Sequence, residues 1–204
     1  MPSHHKFSVT GTAGNIEGVT HLPEAEERAI AVVAHPLPTL GGSMENKVVT
    51  TLVKTFVELG CATLRFNFRG VGGSEGVFDD GNGEVEDALV VIDYARQQYG
   101  QLPLILSGFS FGGFVQARVA QQLQPDHLVL IAPAVGRFSM PNVPGKTLLI
   151  HGDQDDVVPL GEVLQWARPQ ALPIIVLPGA EHYFHGRLNQ IKQLVLQHFI
   201  GLPL

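Results

Sequence analysis

The six residues Ala29-Ile-Ala-Val-Val-Ala34 contain no polar side chain. A strand alternates its side chains between two faces, so an unbroken apolar run of this length buries both. That requires a parallel sheet with helices on each side, and the rest of the chain keeps the pattern. Strand-length runs at 61–68, 102–109, 127–132, 147–151 and 174–177 alternate with longer stretches of helical period. In the stretch 45–59 the apolar residues Val48, Val49, Leu52, Val53 and Phe56 fall three or four apart, and Gly60 follows as a stop. Residues 84–98 place Val85, Ala88, Leu89, Ile92 and Ala95 on one face. Further helices are predicted from Ser110 to about Leu123, over 160–167, and over 186–200. Before the first apolar strand, 6–11 and 15–22 read as a polar antiparallel hairpin turning at Gly11 and Gly14.

The expected fold class is therefore α/β: a mostly parallel central sheet, helices on both faces, and one domain over residues 1–204. Residues 133–145 form the longest stretch without period, too short for a helical cap, so no cap domain is expected.

Charge and composition exclude several function classes. Lys and Arg total 13 against 19 Asp and Glu, giving −6 without a run of like charges, whereas nucleic acid calls for a clustered basic face. No apolar run approaches the ~20 residues of a membrane span. The N-terminal residues lack an apolar stretch of signal-peptide length, and Cys61 is the only cysteine. The expectation is a cytoplasmic protein without an internal disulfide. No His, Cys or Asp cluster has metal-ligand spacing, so neither metal nor cofactor is expected.

One segment carries reactive chemistry. Gly108-Phe109-Ser110-Phe111-Gly112 matches the G-x-S-x-G nucleophile elbow, with the apolar Leu104-Ile105-Leu106 before it and a helix-compatible run after it. A tight strand-to-helix turn strains the serine backbone and leaves no room for side chains at the flanking glycines. It also sets the serine at a helix N-terminus, where free N–H groups favour negative charge.

A serine hydroxyl needs a base, and the base needs an acid to orient it. Acid candidates lie just past a strand in His151-Gly152-Asp153-Gln154-Asp155-Asp156-Val157-Val158-Pro159, where Asp153, Asp155 and Asp156 compete. Base candidates follow in Gly179-Ala180-Glu181-His182-Tyr183-Phe184-His185, where His182 and His185 compete. The order serine, acid, histidine is the one this elbow requires.

With these segments in place, the chain resembles the α/β-hydrolase superfamily. There a His-Gly-x-x-Asp-x-x-Val-Pro segment supplies the acid and a Gly-x-x-His segment the base. The resemblance implies Asp155 and His182 as the partners of Ser110.

Acyl transfer also needs two N–H donors for the oxyanion. One is expected from Phe111, the residue after the nucleophile. The other is expected from the loop after 29–34, His35-Pro36-Leu37-Pro38. Proline has no N–H, so Leu37 is the donor between the pair, with Thr39 and Leu40 as alternatives. Many lipases and esterases carry His-Gly here; this chain has His35-Pro36.

The resemblance narrows to a family of compact, cap-less predicted hydrolases. It is carried by His35-Pro36-x-Pro38 with 41–49, by Arg65-Phe66-Asn67-Phe68-Arg69-Gly70-Val71-Gly72-Gly73-Ser74, and by Phe78-Asp79-Asp80-Gly81 with Glu84. Arg69, Asp79 and Asp80 are read as loop-pinning residues. The expected activity is cleavage of carboxylic esters or thioesters of small soluble substrates through an acyl-enzyme on Ser110. Phe111, Phe138 and Met140 are candidates to line an acyl pocket.

Overall fold

The computed structural model describes residues 3–202. Eight strands form one sheet in the order β1-β2-β4-β3-β5-β6-β7-β8. They are β1 (Ser3–Gly11), β2 (Gly14–Leu22), β3 (Ala29–Ala34), β4 (Cys61–Phe66), β5 (Leu104–Phe109), β6 (His127–Ile131), β7 (Leu148–Gly152) and β8 (Ile175–Leu177). The hairpin β1–β2 is antiparallel, and β2 joins β4 antiparallel; every later pairing is parallel. Five helices follow the strands: α1 (Lys47–Glu58), α2 (Asn82–Tyr99), α3 (Phe111–Leu123), α4 (Leu160–Ala167) and α5 (Leu188–His198).

The apolar run that opened the sequence argument is β3, buried at every position. Its residues divide by parity. Ile30, Val32 and Ala34 join Val85, Val91 and Ile92 of α2, Val115 and Val119 of α3 and Val163 of α4 in one core. Ala29, Ala31 and Val33 face the other way, to Val49, Leu52 and Phe56 of α1 and Ile191 and Val195 of α5. Two helices thus cover one face and three the other, as a doubly covered sheet requires.

Several boundaries differ from expectation, each for a local reason. Helix α1 begins at Lys47 because Asn46 caps it, its side-chain oxygen accepting from the Val48 N–H at 2.8 Å. Strand β4 ends at Phe66, two residues early, because the Phe68 N–H donates to His35 Nε2 (3.0 Å) instead of continuing a ladder. Helix α2 begins at Asn82, where the Glu84 carboxylate takes the N–H groups of Gly81 (2.8 Å) and Asp79 (2.9 Å). Between β6 and β7 the chain forms no helix, so nothing caps the carboxyl edge of the sheet.

Candidate active site

Parallel strands point their carboxyl ends the same way, and loops leaving that edge are where α/β sheets build sites. β3, β5, β7 and β8 deliver His35–Leu37, Ser110, Asp155 and His182 to this edge.

Ser110 joins β5 to α3 with φ 53° and ψ −117°, a left-handed backbone that a non-glycine residue adopts only when its surroundings enforce it. The enforcement is visible. The Ser110 N–H donates to Ile131 O (3.0 Å), and its carbonyl accepts from Gly113 (2.9 Å) and Ala134 (3.1 Å). A Cβ on Gly108 would collide with the Gly112 backbone, and one on Gly112 with the carbonyls of Ala34 and His35. Both glycines are therefore steric requirements of the turn.

His182 approaches from the loop after β8, with Nε2 3.0 Å from Ser110 Oγ and Nδ1 2.7 Å from Asp155 Oδ2. Asp155 accepts the Val157 and Val158 N–H groups on its other oxygen, at 3.0 and 2.7 Å. Burial alone would raise the Asp155 carboxyl, but the His182 ring and the Val158 N–H hold it below the ordinary carboxylate value. An anion at Asp155 fixes the proton of neutral His182 on Nδ1, leaving Nε2 free to accept from the serine.

The rival residues take other places. Asp153 is exposed and accepts the Gly179 N–H at 2.6 Å, pinning the β7 loop to the β8 loop. Asp156 is exposed. His185 is exposed and pairs with Glu181 at 2.9 Å. Of the five candidates, the structure brings only Asp155 and His182 to Ser110.

Leu37 and Phe111 both line the cavity into which Ser110 opens, and neither N–H donates to another described residue. Leu40 also lines it, but its N–H donates to Leu37 O (3.2 Å), and Thr39 does not line it. The loop is fixed by His35, which is fully buried. Its Nε2 accepts from Phe68, so the ring proton sits on Nδ1 and donates to Pro36 O at 2.7 Å. Burial pushes the His35 pKa down to about 4, partly offset by the Pro36 bond, so the ring is neutral.

The cavity holds about 110 Å³. Phe111 and Phe138 line it as anticipated, their ring centroids 5.1 Å apart. Met140 does not line it; the side chain packs against the core instead.

Arg69 is nearly buried and pins loops. Its guanidinium meets both oxygens of Asp87 of α2 and also Thr12 and Glu86. Asp79 accepts the Gly83 N–H at 3.0 Å, a second pin.

Four residues that sequence reasoning does not single out belong to the site. Asn46, Arg137 and Tyr183 line the cavity. His151 lies beneath the acid, its Nε2 donating to Val158 O at 2.8 Å with Asp155 Oδ2 3.5 Å away. Adjacency to His182 was a signal for Tyr183, and the His-Gly-x-x-Asp spacing one for His151. Arg137 sits in the aperiodic loop and had none.

The model of the family described as Serine aminopeptidase, S33, matches residues 25–145. The uncharacterized protein RP471 of Rickettsia prowazekii is 33% identical over 210 residues, 94% of this chain and 87% of that one. The crystal structure of XC6422 from Xanthomonas campestris, described as an α/β serine hydrolase without lid, superposes with a TM-score of 0.91 at 36% identity, covering 97% of this chain and 94% of that chain. An α/β serine hydrolase homologue from Coxiella burnetii superposes with a TM-score of 0.86 at 38% identity, covering 95% and 96%.

Proposed function

Because the chain belongs to the Serine aminopeptidase, S33, family and has the lid-less α/β-hydrolase fold, we propose that it hydrolyses short-chain carboxylic esters through an acyl-enzyme on Ser110. One observation carries this reading: Ser110, His182 and Asp155 form a continuous hydrogen-bonded chain, with Ser110 and His182 lining the cavity.

In the proposed mechanism His182 Nε2 takes the Ser110 proton as Oγ attacks the ester carbonyl. Asp155 stabilises the imidazolium formed, and the N–H groups of Phe111 and Leu37 receive the oxyanion. His182 then gives its proton to the departing alcohol. Water deacylates the enzyme by the same proton path. Because the carboxylate holds the Nδ1–H tautomer, the base is correctly oriented before substrate arrives.

Cavity size supports a small acyl group. A dry cavity of about 150 Å³ accepts benzene, and this one is smaller, at about 110 Å³. With no cap over the carboxyl edge, emulsified long-chain substrate has no lid to open. The expected substrates are soluble, with turnover highest on acetyl and butyryl esters. The lining also bears on the peptidase reading that the family description raises: among the described residues it holds one permanently charged side chain, Arg137, and no carboxylate to receive a substrate ammonium group. A thioester fits the same geometry and is the second reading.

The test is intact-protein mass after treatment with a fluorophosphonate, on the wild type and on Ser110→Ala. A single adduct mapped to Ser110 and absent from the variant is expected, together with loss of 4-nitrophenyl acetate turnover. A folded wild type that takes no adduct refutes the proposal.

A further inference from the structure

The protein carries a net charge of −6, yet among the described residues the only permanently charged side chain lining the cavity is the cation Arg137. Arg65 pairs with Glu45 and Lys192 with Glu58, but neither lines this cavity. Arg137 pairs with no carboxylate among the described residues. Its one partner is the Phe138 ring, whose centroid lies 5.9 Å from the guanidinium carbon. Glu162 is close by, its carboxylate directed at Gly136, but it makes no ion pair with Arg137.

A second donor lines the same cavity. Asn46 Oδ1 accepts the Val48 N–H, and no described residue accepts from the amide NH₂. A planar guanidinium and an amide NH₂, neither with a hydrogen-bond acceptor among the described residues, thus line a cavity in which those residues place no acidic side chain. That combination complements a carboxylate, and Arg is the side chain suited to binding one with two parallel hydrogen bonds.

Resting on the esterase reading above, we propose that the substrates are esters bearing a second, free carboxylate, with Arg137 as the residue that selects them. The charge pairs with Arg137 while the ester carbonyl lies against Ser110. The Phe138 ring beneath the guanidinium carbon, 5.9 Å away, favours this position of the exposed cation.

Two substrate pairs separate the side of the ester that carries the charge. One pair is 4-acetoxybenzoate against its methyl ester, with the carboxylate on the leaving group. The other is mono-4-nitrophenyl glutarate against 4-nitrophenyl butyrate, with the carboxylate on the acyl chain. The expected result is that kcat/KM for the charged member exceeds that for its neutral partner by about five- to tenfold in one pair, falling as salt is added. Arg137→Gln should bring that ratio to about one, and Arg137→Glu should invert it. Lys54→Gln, which removes an equal charge far from the cavity, should leave the ratio as in the wild type.

Ratios near one in both wild-type pairs, or a preference that survives Arg137→Glu, overturn the inference while leaving esterase activity standing. An enzyme inert to all four esters overturns the esterase reading and this inference with it.

Discussion

In Asp155→Asn the side chain keeps its shape and loses its charge, and the structure dictates which way the new amide turns. Oδ1 accepts two backbone N–H groups, from Val157 and Val158, and an amide nitrogen there would face two donors. The carbonyl oxygen therefore stays at Oδ1, and the NH₂ takes the Oδ2 position 2.7 Å from His182 Nδ1. Two donors cannot share that contact, so Nδ1 becomes the acceptor and the ring proton moves to Nε2. Nε2 then donates toward Ser110 and no longer accepts from it. Loss of the correct tautomer costs about 10⁴ in rate, or ~5.5 kcal/mol of transition-state stabilisation. The loop should hold, because both Val N–H bonds survive. Stopped-flow acylation by 4-nitrophenyl acetate reads the effect directly, beside a thermal melt to show an intact fold. Asp153→Asn is the control: it can still accept the Gly179 N–H and should stay within about twofold of the wild type. A loss below about tenfold in Asp155→Asn with an unchanged melt would refute the tautomer argument.

Neutral His35 makes stability depend on acid. Its native pKa is about 4, below the free value, so its contribution is complete above the free imidazole pKa and is lost as pH falls toward the native one. Unfolding free energy should drop by about 2.5 kcal/mol from this residue alone between about pH 7 and about pH 4.5, and half-buried His21 acts in the same direction. A level chemical-denaturation curve over that range would contradict it. Asp87→Ala leaves the nearly buried Arg69 guanidinium only Thr12 and the exposed Glu86, and should lower stability by about 3 kcal/mol, read as a melting midpoint down by about 10 °C. An unshifted midpoint would show that water reaches Arg69 freely. Phe138→Ala opens the small cavity and should raise the hexanoyl-to-acetyl ratio of kcat/KM about tenfold. A constant ratio would place the acyl group elsewhere.

Much of the fold is legible in the sequence because its signals are local. β3 is apolar throughout, α1 has a regular apolar face, and the elbow glycines stand where the turn needs them. Boundaries slipped where a distant residue decides. Phe68 leaves the ladder for a histidine 33 positions earlier, a bond that no window of sequence contains. The same division runs through the candidate site. Ser110 follows from its own five residues. The carboxylates at 153, 155 and 156 look alike along the chain, and they differ only once burial and the reach of the β8 loop separate them. Arg137 and Asn46 are invisible for the same reason: what distinguishes them is the cavity that the fold brings them to line.

The strand order has a bearing on how the protein is made. From β5 onward each new strand pairs to the outer edge of the one before it, so this half of the sheet is assembled in the order of synthesis. The elbow can form early, once β6 is present to hold the Ser110 N–H. The hydrogen-bond partner of its hydroxyl, His182, arrives only seventy-two positions later in the chain. In the proposed mechanism the serine of a growing chain therefore precedes its base by these seventy-two residues. Under the proposed mechanism, a chain ending before residue 182 would have the elbow but no base beside it, and should be inert.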